Sequence, residues 1–215
     1  MPLTLTDLIE NRTLSPEMAA TLAAAAEERR SLLFVAIPRW AGKSTIMQAV
    51  LRYAPSGAPF HELSAARPDL GIPASGDGGY LIAGEISPAG FVDYFWGADV
   101  RQVFAALERG FALATALHAG SVDEAFEVLT RENGVPANQA ARIDMVVYIR
   151  SIGDDWSHPE RRTVAAIAET DGIHARQARL LHHWSEPKDR FEAVEQSQRI
   201  DAITIERYRR EFGAG

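Results

Sequence analysis

The sequence predicts an α/β fold, a mostly parallel β-sheet flanked by helices, and three observations predict it. An apolar run, Leu32 to Ala36, leads to Gly42-Lys43-Ser44-Thr45, and an apolar, helix-like segment, Ser44 to Leu51, follows. Two further apolar runs, Tyr80 to Glu85 and Phe111 to Leu117, are separated by a segment of helical periodicity, Val100 to Gly110. They lead to the polar side chains of Glu85 and His118, and in a parallel sheet ligand-binding groups collect at the carboxyl ends of the strands.

In chain order, Leu3 to Asn11 is the first helical signal, with Thr6-Asp7 as its cap and Leu5, Leu8 and Ile9 on one face. Ser15-Pro16-Glu17 starts the next helix, Ser15 as N-cap and Pro16 at the first helical position. An alanine-rich run then ends at Glu27-Glu28-Arg29-Arg30, which reads as a solvated helix end. After the second apolar segment, Phe60 to Leu63 is a short strand. Ala65 to Gly79, with Pro68, Pro73 and four glycines, is a long loop. Ser87 to Gly97 is an aromatic-rich connection, and Gly110 terminates the helix that precedes the third strand.

Ser121-Val-Asp-Glu124 caps a helix over 122–130, and a short helical piece follows at 138–142. Asp144 to Arg150 is strand-like, 153–159 is a hairpin connection, and Arg162 to Glu169 is the returning strand. The histidines at 174 to 183 are too loosely patterned for a metal site, and His182-His183 reads as a surface pair. Asp189 to Ser197 and Ala202 to Phe212 look helical. The expected division is a helical lead-in at 1–30, a core at 31–185 and a helical tail at 186–215.

Strand, Gly-Lys-Ser-Thr and helix together make the layout of a phosphate-binding loop, in which backbone N–H groups and a helix N-terminus surround an anion. Lys43 then reaches the β- and γ-phosphates, and the Ser44 hydroxyl ligates a magnesium ion. Ala41, Gly42 and Thr45 complete the candidate binding residues; Arg39 either adds a cation to the phosphates or points into solvent. The loop is degenerate. Ile37 stands where the full motif has its first glycine, and Pro38, Arg39 and Trp40 follow where small residues are expected. Glu85 is placed to orient the attacking water or to hold the metal, or else is a strand-end surface residue. His118 is either a second functional group or a structural histidine.

The 215 residues suffice for a sizeable core, and 47% hydrophobic with 24% charged residues is ordinary globular composition. A net charge of -7 disfavours a nucleic-acid partner, and the absence of cysteine rules out disulfides and thiolate metal sites. No signal pattern and no apolar run of membrane-spanning length is evident, so the expected location is cytoplasmic.

With these residues assembled, about residues 3 to 192 resemble the secretion-ATPase superfamily of type II and type IV secretion, pilus and archaellum motors. The resemblance is strongest to its Tad-pilus, CpaF-like branch. Gly42 to Thr45 is similar to its Walker A end, and Leu81-Ile-Ala-Gly-Glu85 to its Walker B segment. Ala114-Thr-Ala-Leu-His118-Ala-Gly-Ser121 is similar to its histidine box, the most specific match. Ile143 to Ile149 with Arg161 to Glu169 resembles its closing β-hairpin, and Glu62-Leu63 the end of its acidic box.

The resemblance implies a RecA-like P-loop NTPase core that uses ATP and Mg2+, with Glu85, His118 and Glu62 as catalytic residues and Ser44 and Glu85 at the metal. It implies a hexamer or secretion-apparatus partners, and a site peripheral to the inner membrane. The chain departs from the family at Ile37 and in lacking an arginine soon after Glu85, where Arg101 is the nearest substitute. It is also expected to lack the N-terminal domain that completes the nucleotide site. Two readings stay open: an ATP-hydrolysing motor core, and a non-hydrolysing pseudo-ATPase that binds partners or regulates. A nucleotide-binding scaffold without turnover is a third.

Overall fold

The computed structural model describes residues 2–37, 41–76, 78–91, 93–153, 155, 159–172, 174 and 177–213. Helices α1 (Leu5–Glu10) and α2 (Pro16–Glu27) open the chain, each set by its cap. Thr4, not Thr6, caps α1: its side chain accepts from the Asp7 N–H while the Asp7 carboxylate accepts from the Thr4 N–H, a reciprocal capping box. Ser15 caps α2 by accepting from the Met18 N–H. Residues 18–26 of α2 are all buried, as a helix apolar on every side requires.

Nine strands among the described residues form one sheet. They are β1 (Leu32–Ile37), β2 (Phe60–Glu62), β3 (Tyr80–Ile86), β4 (Tyr94–Phe95), β5 (Ala112–Leu117), β6 (Met145–Ile152), β7 (Arg161–Thr170), β8 (Ala178–Ser185) and β9 (Arg190–Ala193). Their order is β2-β3-β5-β1-β6-β7-β8-β9, with β4 beside the end of β3. Pairings from β2 through β6 are parallel, and those from β6 to β9 antiparallel. This is the mostly parallel sheet, flanked by helices and ending in an antiparallel hairpin, that the sequence predicts.

Alternation along the strands sorts the core into two faces. Leu32, Phe34, Tyr80, Ile82, Met145 and Val147 pack with α1, α2, α3 (Lys43–Leu51) and α7 (Ala202–Gly213). Leu33, Val35, Leu81, Leu113 and Val146 pack on the opposite face with α4 (Ala98–Ala106), α5 (Val122–Glu127) and α6 (Ala137–Ala140).

Three local expectations are corrected. The Glu27 to Arg30 cluster is not a solvated end: Glu27 accepts from Tyr208 and Arg207, and Glu28 accepts from the Asp201 N–H at 2.8 Å, which fastens α7 onto α2. The helix expected over 189–197 is instead β9, within the expected helical tail. Asp189 turns the chain at φ 43 and accepts from Arg12, Arg161 and the Trp184 indole, and this pins a hairpin with β8. His182 is buried beside α2, its Nε2 2.8 Å from Thr21 Oγ1, and only His183 of that pair faces solvent.

Candidate functional site

β1 lies in the parallel part of the sheet between β5 and β6, and Gly42, five residues beyond its end, leads into α3. Gly42 takes φ 90, a left-handed conformation that a Cβ would strain, and no side chain caps α3. An uncapped helix N-terminus presents its first-turn N–H groups and the positive end of its dipole to whatever faces it. A cavity of about 580 Å³ lies there, within the range of small-molecule sites, lined by Ala41, Gly42, Lys43, Ser44, Thr45 and Glu85 among others.

A β-bulge aims Glu85 at this cavity. β3 and β5 pair in register to Ile82 opposite Ala114, then resume with Glu85 opposite Ala116. Ala83 and Gly84 thus oppose the single residue Thr115, and the extra residue inverts the alternation. Leu81 and Ala83 face the α4 side, yet so does Ile86, which leaves Glu85 on the α3 side. Gly84 is required there: a Cβ on it would stand 2.8 Å from the Asp93 carbonyl oxygen.

On the neighbouring strand no bulge is needed. Ala112 and Ala114 face α3, Leu113 and Leu117 face away, and His118 follows in phase with the first pair.

The three elements bring Lys43, Glu85 and His118 together. Lys43 Nζ is 3.1 Å and His118 Nε2 is 2.7 Å from the same oxygen, Glu85 Oε1. The Lys43 side chain is 5% exposed and that of Glu85 18%, so the pair is well shielded. Burial by itself raises the Glu85 pKa, but the His118 contact and the Lys43 charge outweigh it and hold the carboxyl below its ordinary range. Glu85 is therefore ionised at neutral pH. Glu85 Oε1 and His118 Nε2 are buried, yet neither has a hydrogen-bond partner of good angle among the described residues.

The oxygen donors at hand, the Ser44 hydroxyl and the Glu85 carboxylate, suit Mg2+, which takes few protein ligands and keeps substrate oxygens and waters. No cluster of three His, Cys, Asp or Glu that could cage a metal occurs among the described residues.

Glu62 stands apart from this group. It ends β2 and lines a second cavity, about 570 Å³, with Ser44, Gly84 and Asp93. Ile37 remains in β1, opposite Arg150 and 53% exposed, so the position expected to be a loop glycine continues the strand, as a β-branched residue favours. Its side chain lies over Gly120, two residues beyond His118.

Arg39, with Pro38 and Trp40, lies outside the described residues, as does most of the 153–159 connection. Arg101 is no substitute for the arginine sought after Glu85, because it donates to the Asn133 carbonyl at 2.7 Å beside α4.

Residues that sequence reasoning missed also line the first cavity: Leu8 and Thr13 from the α1 region, and Arg161 and Arg162 at the start of β7. The only sequence signal for the arginines is their place at the return of the closing hairpin.

No family model matches the chain, and no curated protein matches it. A solved structure, the VirB11 ATPase from the Brucella suis type IV secretion system in complex with sulphate, is similar to it at 15% identity with a TM-score of 0.43. The similarity covers 75% of this chain, which spans 62% of the VirB11 chain.

Proposed function

We propose that the chain is the ATP-binding and ATP-hydrolysing core of a secretion or pilus-assembly motor of the Tad-pilus type. The observation that carries this reading is the convergence of Lys43, Glu85 and His118 beside the uncapped α3 N-terminus. The motif resemblance of 81–85 and 114–121 gives the secretion assignment. In this reading Lys43 and the first turn of α3 hold the phosphates. Ser44 and Glu85 hold Mg2+, which neutralises charge on the β- and γ-phosphates when bound.

The ionised Glu85 carboxylate accepts a proton from the attacking water, whose oxygen bonds to the γ-phosphorus as the bridging oxygen leaves. His118, against Glu85, registers the γ-phosphate. Positioning and charge stabilisation supply most of the rate. The chain acts as a hexamer at the cytoplasmic face of the inner membrane, and Glu62 contributes from the second cavity beside Ser44.

The direct test is titration of the purified protein with a fluorescent ATP analogue and Mg2+, beside Lys43→Ala. Loss of one charged contact should weaken binding by about 10- to 100-fold. Absence of binding at millimolar nucleotide, or equal binding by a folded Lys43→Ala, overturns the reading.

A non-hydrolysing subunit is the second reading, favoured by Lys43 resting on the carboxylate that hydrolysis needs and by Ile37 remaining in β1. Phosphate release decides between them. A motor releases phosphate and loses at least about 100-fold in rate in Glu85→Gln, whereas a pseudo-ATPase binds nucleotide and releases none.

A further inference from the structure

Lys43 Nζ sits 3.1 Å from Glu85 Oε1, so much of its charge is answered before a phosphate arrives. A triphosphate calls for more cation than that. Among the described residues lining the cavity, the other cations are Arg161 and Arg162. They open β7, where they pair with Ile152 and Ser151 of β6, and adjacent strand residues face opposite ways.

Arg161 is engaged by the turn between β8 and β9. Its guanidinium donates to both Asp189 oxygens, at 2.6 and 3.2 Å, and lies 5.3 Å from the centre of the Trp184 ring. Arg162 lies over the phosphate loop: a Cβ placed on Gly42 would stand 3.1 Å from Arg162 Cδ and 3.9 Å from its Nε. The side chain that Gly42 lacks is the room in which Arg162 lies.

The strand that presents Arg162 is held in place. Val164 N–H donates to the Thr13 carbonyl at 2.7 Å, which ties β7 to the connection between α1 and α2. Three residues earlier, the Arg161 and Asp189 clamp fixes the other side. A long cationic side chain on a fixed strand, laid across a glycine of the loop, loses little further freedom when it meets an anion.

We propose that Arg162 binds the phosphate chain of the nucleotide, supplying from β7 of the same chain the arginine that the segment after Glu85 lacks. The inference rests on the nucleotide-binding reading above. The planar guanidinium presents two parallel N–H donors to two phosphate oxygens, a geometry that lysine does not reproduce. Gly42 is then required twice, for its left-handed turn and for the passage of Arg162.

The test is calorimetric titration of the full chain with a non-hydrolysable ATP analogue and Mg2+, comparing wild type, Arg162→Gln, Arg162→Lys and Lys43→Ala. Arg162 is exposed, and the melting temperature of each variant is measured beside its affinity, which separates binding from folding. Arg162→Gln should weaken the analogue by about 10- to 100-fold, and Arg162→Lys should recover only part of the loss. Binding by Arg162→Gln equal to wild type, while Lys43→Ala loses it, overturns the inference and leaves the nucleotide site standing. If wild type itself fails to bind, the nucleotide reading falls and this one with it.

Discussion

Acidification should weaken the fold through His182, and the size of the effect follows from where that ring sits. Its Nε2 lies 2.8 Å from Thr21 Oγ1, and the Thr21 hydroxyl spends its own proton on the Glu17 carbonyl at 3.0 Å. Thr21 therefore accepts, and the ring carries its proton on Nε2. Burial, and then the charge of Arg209 on α7, push the His182 pKa down from 6.5 to about 4, against a smaller opposing pull from Glu17. In the unfolded chain the ring titrates at its ordinary value. Between the two pKa values the unfolded state binds more protons, so stability falls as pH falls and levels off only below the folded pKa.

Linkage with these two values gives a loss of about 2 kcal/mol between about pH 7.5 and pH 5. Other groups titrate in the same window, so the measurement is a difference. Urea unfolding is followed at both pH values for wild type and for His182→Gln, whose amide keeps a donor for Thr21 without a titrating ring. Wild type should lose about 2 kcal/mol more than the variant on acidification. Parallel losses, within about 0.5 kcal/mol, would refute a buried neutral His182.

Two further perturbations probe the placement of Glu85 and the docking of α7. Gly84→Ala drives a Cβ to 2.8 Å from the Asp93 carbonyl, inside the bulge that turns Glu85 toward Lys43. It should cost about 1–3 kcal/mol in urea unfolding, and a variant as stable as wild type would show that the bulge relaxes freely. Tyr208→Phe removes the hydroxyl that donates to Glu27 while keeping the ring that packs on Tyr53 and Phe212. A loss of about 1 kcal/mol in urea unfolding is expected; stability equal to wild type would show that this hydrogen bond does not fasten α7.

What the sequence makes legible is what local rules govern. Ser15-Pro16 places the start of α2, Gly110 ends the helical segment before β5, and Gly-Lys-Ser-Thr after an apolar run locates the turn into α3. Glu85 and His118 are readable as strand-end residues, but their meeting is not. It depends on an extra residue in β3 that apolar periodicity hides, because Ala83 and Gly84 fit a strand in either phase.

His182-His183 looks polar in sequence. Only the pairing of β8 with β7, whose register shifts at Leu181 so that Leu181 and His182 are both buried, decides that one of them is core. β9 is similarly invisible: Arg190 to Ala193 has no strand composition, and its extension comes from pairing with β8 across a turn held by Asp189. Arg162 reaches the loop through a contact with a residue 120 positions earlier in the chain, a relation that no spacing rule encodes.

The docking of α7 on α2 has a consequence for synthesis. The alanine face ending at Ala26 is made early, while Ile205 and Tyr208, which help to bury it, follow about 180 residues later. At ribosomal rates of about 5–20 residues per second, roughly 9 to 36 s separate the two. For that interval α2 carries an uncovered apolar face, and so does the side of the sheet that it shares. Growing chains of this protein should bind general hydrophobic-segment chaperones until residue 208 emerges, and chains stalled before α7 should remain with them.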